Sequence, residues 1–165
     1  MQSGSPTFDK LSLTNIHHVR NCRFAVVVSD WNSDVTYAMR DDAIQTFIDC
    51  GVDKSRIDVV YVPGAVELVF ASSKLMRMYT IFPLKRRYSG IIVIGCVIKG
   101  DTPHFDYVCS NVSQGVALLN SKGKIPIIFS VLTTLNKQQA INRVNGNCGK
   151  KGVEAVIDVL RMSRF

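Results

Sequence analysis

Four short runs of Val, Ile and apolar neighbours restrict this fold more than any other feature. They fall at residues 24–29 (FAVVVS), 57–62 (IDVVYV), 91–95 (IIVIG) and 125–131 (IPIIFSV). Three are almost continuously apolar. A strand with one buried face alternates with period two, so continuous runs indicate burial on both faces, as in a parallel sheet covered by helices. Between the runs the spacing becomes helical. Met39, Ala43 and Phe47 share a face that ends near Cys50 and Gly51, a C-terminal cap signal. Leu68, Ala71, Ser72, Leu75 and Met76 form a second face, and Val108, Val112, Gly115, Val116 and Leu119 a third. Residues 136–142 read as a short helix, and Val153, Val156, Ile157 and Leu160 as the last. Strand then helix, repeated, predicts an α/β three-layer, doubly wound sandwich on a central four-stranded parallel sheet, with right-handed crossovers.

The 165 residues are 47% hydrophobic and 20% charged, which suits one domain with a buried core and excludes general disorder. Residues 1–22 show no period and read as an N-terminal arm, loose unless a partner ties it down. Residues 23–165 form the single domain. No apolar run approaches the ~20 residues of a bilayer span, and the polar start carries no apolar leader core, so a cytoplasmic location is expected. The five cysteines (Cys22, Cys50, Cys96, Cys109, Cys148) are scattered, with no C-x-x-C and no histidine at ligand spacing. They read as reduced thiols, and no metal is expected. The net charge of +7 allows nucleic-acid, anionic-membrane or phosphate-ligand partners and selects none. Residues 137–165 carry four of those seven charges. A solvated helix face accounts for most of them, Arg161 and Arg164 included. Residues 77–89 (RMYTIFPLKRRYS), with Pro83 and the Lys85-Arg86-Arg87 cluster, read as a helix end followed by an irregular, solvated excursion.

In an open parallel sheet, ligands bind beyond the carboxyl ends of the strands. There the first run is followed by Asp30-Trp31-Asn32 and the second by Pro63-Gly64-Ala65-Val66-Glu67. The third leads into Cys96-Val97-Ile98-Lys99-Gly100-Asp101-Thr102-Pro103-His104-Phe105-Asp106, and the fourth into Leu132-Thr133-Thr134. The only tryptophan and the only histidine outside the arm both fall on this rim. Trp31 offers a flat surface for a planar ring, or an ordinary rim aromatic. Glu67 suits the first turn of a helix electrostatically and can also accept from ligand hydroxyls. Gly100-Asp101-Thr102 precedes a helix starting near Pro103, where free N–H groups make an anion site and Asp101 or Thr102 would serve as a cap. His104 suits proton transfer near neutral pH. Arg143 and Lys151 can hold phosphate as fork and point charge. Neither G-x-x-x-x-G-K-[ST] nor G-x-G-x-x-G is present. The residues by themselves thus describe an α/β domain for a small, planar and phosphorylated ligand.

The segments VPGAVELVFA, GCVIKGDTPHFDYVCSNVSQGV, PIIFSVLTT, QQAINR and KKGVEA, in this order, resemble the 6,7-dimethyl-8-ribityllumazine synthases from about Phe24 to the C-terminus. The resemblance implies a flavodoxin-like fold and the penultimate step of riboflavin biosynthesis. A 5-amino-6-(ribitylamino)pyrimidinedione condenses with 3,4-dihydroxy-2-butanone 4-phosphate through an imine, phosphate elimination and ring closure, with no metal or cofactor. It also implies roles. Trp31 would stack on the pyrimidinedione with Asn32 beside it. Ala65, Val66 and Glu67, with Val97, Ile98 and Lys99, would hold ring and ribityl chain. Gly100, Asp101 and Thr102 would cradle phosphate, and His104 would transfer protons. Phe129, Arg143 and Lys151 would come from a neighbouring subunit, Arg143 gripping phosphate, and Glu154 would orient His104.

Pentamers with active sites between subunits are implied, some assembled into icosahedral shells of sixty subunits, as is association with riboflavin synthase. Nucleic acid and membrane are not implied as partners. The arm around Leu11 and Leu13 would add to a neighbour's sheet. Four departures stand out: Ser29-Asp30 before the aromatic, Ser130 for a usual glycine, Val144-Asn145 after Arg143, and the longer 77–89 excursion. Between Arg143 and Lys151 there is no insertion of the kind that accompanies isolated pentamers or decamers, so the shell stays open. A flavin- or lumazine-holding module of the same fold, and a nucleic-acid binder resting on charge alone, are the competing readings.

Overall fold

A computed structural model describes residues 17–79, 85–146 and 150–165. The arm's residues 1–16 with Leu11 and Leu13, the centre of the excursion with Pro83, and the 147–149 turn with Cys148 lie outside these residues. After a short 3-10 turn at His17–Asn21 the order is β1 (Phe24–Ser29), α1 (Ser33–Asp49), β2 (Ile57–Val62), α2 (Glu67–Leu75), β3 (Gly90–Ile98), α3 (His104–Asn120), β4 (Ile127–Thr134), α4 (Lys137–Val144) and α5 (Lys151–Met162). The four strands form one parallel sheet in the order β2-β1-β3-β4.

Each layer follows from strand alternation. Phe24, Val26, Val28, Ile92, Ile94 and Cys96 face one way and pack with α1, α4 and α5 through Met39, Phe47, Ala140, Val156 and Leu160. Ala25, Val27, Ile91 and Val93 face the other way, against Leu68 of α2 and Val112, Val116 and Leu119 of α3. β1 is buried throughout, and β3 is buried over all but its last two residues, as continuous apolar runs require. On α1 the expected face is buried throughout, while on α2 Ala71 and Leu75 and on α3 Val108 and Gly115 are half-buried, and α5 buries further residues. There Gly152, Ala155 and Val159 are buried and Val153 is only half-buried. Gly51 ends α1 with φ 87°, the left-handed conformation that glycine adopts without a Cβ clash.

Four expectations are corrected. The third strand runs three residues beyond Gly95, to Ile98, because pairing with β4 continues through Ile98↔Thr134. The fourth begins at Ile127 rather than residue 125. Pro126 has no N–H for the ladder, and its carbonyl accepts the Ile91 N–H at 2.9 Å. The fourth apolar run is also not covered on both faces within the chain, since Phe129 is 41% exposed on this edge strand. Finally, the end of the 77–89 excursion is not solvated. Tyr79 bridges Arg86 in antiparallel fashion, Arg87 pairs with Asp58 at 3.3 Å, and buried Tyr88 donates to the same carboxylate at 2.8 Å. Arg23 completes that anchor at 2.7 Å.

Candidate active site

β1 and β3 are neighbours, yet the chain leaves β1 towards β2 and leaves β3 towards β4. Loops diverging in this way open a crevice at the carboxyl ends of the strands. The crevice here is a cavity of about 370 Å³. Trp31 enters from the turn after β1, and Gly64, Ala65, Val66 and Glu67 from the turn after β2. Cys96, Val97 and Ile98 close β3, and Gly100, Thr102, His104, Phe105 and Val108 lead into α3.

The backbone around Trp31 is held while its ring is free. The N–H groups of Asp30 and Trp31 donate to the carbonyls of Val62 and Pro63 at 2.8 and 3.1 Å. Asn32 has φ 59°, a left-handed conformation that Asn tolerates better than most residues. Its side-chain amide donates to the Cys96 carbonyl at 2.9 Å, tying the β1 turn to the end of β3. The indole is 73% exposed, so Trp31 is not a core aromatic.

The N-termini of α2 and α3 meet the cavity rim, and the N-cap residue of neither makes a side-chain cap hydrogen bond. This corrects the expected Asp101 or Thr102 cap. Pro103 is the N-cap of α3, and Asp101 and Thr102 are exposed. First-turn N–H groups that no side chain satisfies favour an anionic or hydroxyl-bearing ligand. Glu67 opens α2, and a Cβ placed on Gly64 would lie 3.0 Å from its Oε2, so a larger residue there would push that carboxylate aside. Burial pushes the Cys96 thiol up to about 11, which keeps it a neutral packing group.

A second cavity, of about 510 Å³, runs along β4. Phe129 and residues 130–134 line it with Gln139, Asn142 and Arg143 of α4 and Lys151 of α5. Lys151 forms an ion pair with Glu154, and the Ser130 hydroxyl donates to the Lys151 carbonyl at 3.2 Å. Thr134 Oγ1 is buried there without a hydrogen-bond partner.

The two cavities share no lining residue. One chain therefore brings Trp31, Ala65, Val66, Glu67, Val97, Ile98, Gly100, Thr102 and His104 together and leaves Phe129, Arg143 and Lys151 elsewhere. Asn32, Lys99 and Asp101 flank the first group. The Lys99 N–H donates to the Thr134 carbonyl at 2.8 Å, which prolongs the β3–β4 ladder towards the second cavity. Within the chain Glu154 engages Lys151 rather than His104. Phe105 and Val108 also wall the first cavity, and Gln139 and Asn142 the second, and sequence reasoning did not select them. Helical spacing could have found Val108 from His104 and Gln139 from Arg143, each four residues apart. Among the described residues no three His, Cys, Asp or Glu side chains are grouped to hold a metal ion. Nor is any helix among them long and apolar enough to cross a membrane.

The profile of the 6,7-dimethyl-8-ribityllumazine synthase family matches residues 21–165. A protein named 6,7-dimethyl-8-ribityllumazine synthase from Bacteroides fragilis is 45% identical over 143 residues, covering 87% of this chain and 95% of its own. One of the same name from Phocaeicola vulgatus is 40% identical, covering 92% and 86%. Another, from Parabacteroides distasonis, is 35% identical over 165 residues, 100% of this chain and 99% of its own.

Proposed function

The chain belongs to the 6,7-dimethyl-8-ribityllumazine synthase family, and from that premise we infer that it makes this lumazine for riboflavin biosynthesis. It is a transferase. The aromatic 5-amino group of the pyrimidinedione attacks the ketone of the butanone phosphate, and loss of water gives an imine. Elimination then breaks the C–O bond to phosphate, and the enol formed tautomerises to a carbonyl. The ribitylamino nitrogen closes the ring on that carbonyl with loss of a second water. The substrate brings its own nucleophile, so the protein's work is orientation, worth ~7–11 kcal/mol in well-placed pairs, and proton transfer.

The observation that carries the assignment of roles is the uncapped meeting of two helix N-termini, those of α2 and α3, at a cavity edged by Trp31 and His104. On this reading the pyrimidinedione stacks on Trp31, beside Asn32. Glu67 accepts from ribityl hydroxyls, while Ala65, Val66, Val97, Ile98 and Lys99 line the ring and chain. Gly100, Asp101 and Thr102 receive the phosphate, and His104 moves the protons of imine formation and elimination. The separation of Arg143, Lys151 and Phe129 into a second cavity supports their serving the site of an adjoining copy, Arg143 on phosphate and Glu154 holding Lys151 and meeting the neighbour's site. A ring of five copies, alone or built into a shell, closes such a head-to-tail contact. The arm adds to a neighbour's sheet, and riboflavin synthase is the partner that would consume the product. The free thiols of Cys50, Cys96 and Cys109 fit a cytoplasmic location.

The test mixes both substrates with purified protein and follows lumazine absorbance and fluorescence against the uncatalysed condensation. A rate well above that background is expected. A rate equal to it, with binding of the lumazine retained, would leave a holding module instead.

A further inference from the structure

Trp31 is the only tryptophan of the chain, and most of its ring touches solvent, so its attitude depends on the turn that carries it. That turn has a support that the proposed roles do not include. The Tyr37 hydroxyl, on the first turns of α1, donates to Asp30 Oδ1 at 2.7 Å. The Tyr37 ring is itself clamped. The Arg40 guanidinium lies over it at 4.5 Å, and the Tyr61 ring of edge strand β2 meets it edge-on at 5.6 Å. Arg40 also donates to the Tyr61 hydroxyl at 2.8 Å, which closes the cluster. One face of the turn is thus fixed by Asn32 to β3, and the other by Asp30 to α1 and β2.

We propose that Tyr37 is a positioning residue for this reaction, holding the Trp31 indole through Asp30 in the attitude in which it receives the pyrimidinedione. The proposal rests on Trp31 being the stacking residue, as read above. Its physical logic is preorganisation. An exposed ring that stacks on a ligand loses rotameric freedom on binding, and a turn already locked in the bound attitude reduces that loss. A hydrogen bond to a carboxylate is among the stronger ones available. The Asp30 carboxylate in turn raises the Tyr37 phenol above its ordinary range, so the phenol stays a donor under working conditions.

The single tryptophan makes the test direct. The intact assembly carrying Tyr37→Phe keeps the ring packing against Arg40 and Tyr61 and loses only the donor. In the ligand-free protein its Trp31 fluorescence anisotropy is expected to fall and acrylamide quenching to rise. The Kd for the lumazine product, read by Trp31 quenching, should rise about three- to tenfold. The KM for the pyrimidinedione should rise with it, and the KM for the butanone phosphate should not. Asp30→Ala should reproduce these changes, the double variant should add little, and Asp30→Asn, which keeps an acceptor, should recover most of the affinity. Unchanged anisotropy, Kd and KM in Tyr37→Phe would overturn the proposal. So would equal shifts in both KM values, which a general loosening of the fold produces. If the product fails to quench Trp31 in the unmodified protein, the stacking reading fails instead, and the ligand-free anisotropy still decides whether Tyr37 holds the turn.

Discussion

Arg143 is the side chain whose loss should be most selective. A guanidinium grips phosphate through parallel N–H bonds that a methyl group cannot replace. Arg143→Ala is expected to lower kcat/KM for the butanone phosphate by about 10- to 100-fold, while leaving affinity for the pyrimidinedione near its original value. Steady-state kinetics with each substrate varied in turn check this, and an unchanged KM and kcat for the ketone would remove Arg143 from the phosphate. His104→Ala should slow kcat by only about tenfold, below the usual ~10²–10⁴ for general acid–base groups, because this condensation proceeds unaided. Cys96 lines the first cavity, but its thiol is raised to about 11, so almost none is thiolate at pH 8. Iodoacetamide at pH 8 should leave Cys96 unmodified by mass spectrometry while the protein stays folded, and label it after denaturation. Trp31 and His104 were legible in the sequence because they are rare residue types at rim positions. The left-handed backbone of Asn32 and its bond to the Cys96 carbonyl were not, since both need β1 and β3 side by side.

At the scale of elements, the fit of α1 against α5 depends on one missing side chain. A Cβ on Gly152 would stand 2.3 Å from the Met39 carbonyl oxygen, and backbone cannot rotate away as a side chain can. Gly152→Ala is expected to cost ~2 kcal/mol or more despite the better helix propensity of Ala, read as a lowered midpoint in denaturant. Gly115→Ala should cost less, because the atoms it meets at 2.6–2.8 Å are the Val69 methyls, side-chain atoms rather than backbone. A second helix contact is electrostatic. Asp34 at the start of α1 pairs with Lys137 of α4 at 2.8 Å, and the Lys137 hydrogen bond holds its carboxyl below the ordinary range. A depressed carboxyl pKa contributes stability above the unfolded value near ~3.9, and that contribution disappears as pH falls through the folded value. Both groups are more than half exposed, so the effect is small, at most ~0.5 kcal/mol. Asp34→Asn should lower Tm slightly at pH 7, with the difference from the parent shrinking as pH falls below the unfolded value. The element order was readable from period alone. The strand ends were not, because ladder pairing carries β3 past Gly95 to Ile98 and β4 past its apolar run to Thr134.

For the whole molecule, the proposal that the two cavities are halves of sites shared between copies predicts that a lone subunit is catalytically incomplete. Native mass spectrometry is expected to show a multiple of five chains, and a monomer retaining full activity would defeat the shared-site reading. Trp31→Ala damages the first cavity and Arg143→Ala the second, so each assembly alone should be weak. Subunits of the two variants, mixed under exchanging conditions, should regain about a quarter of native sites if each site spans two copies in a closed ring. No recovery would place both groups in one subunit's site.

The sequence by itself determined the class of fold, the succession of its elements and the rim on which unusual residues gather. Those properties depend on local period and on the rule that ligands sit beyond the carboxyl ends of parallel strands. Only the tertiary structure decided that the rim divides into two cavities, that α3 starts uncapped, and that the residues after Arg86 fold back onto Asp58. These are meetings of groups far apart in the chain, and no local pattern of residue types encodes which distant partners a side chain will find.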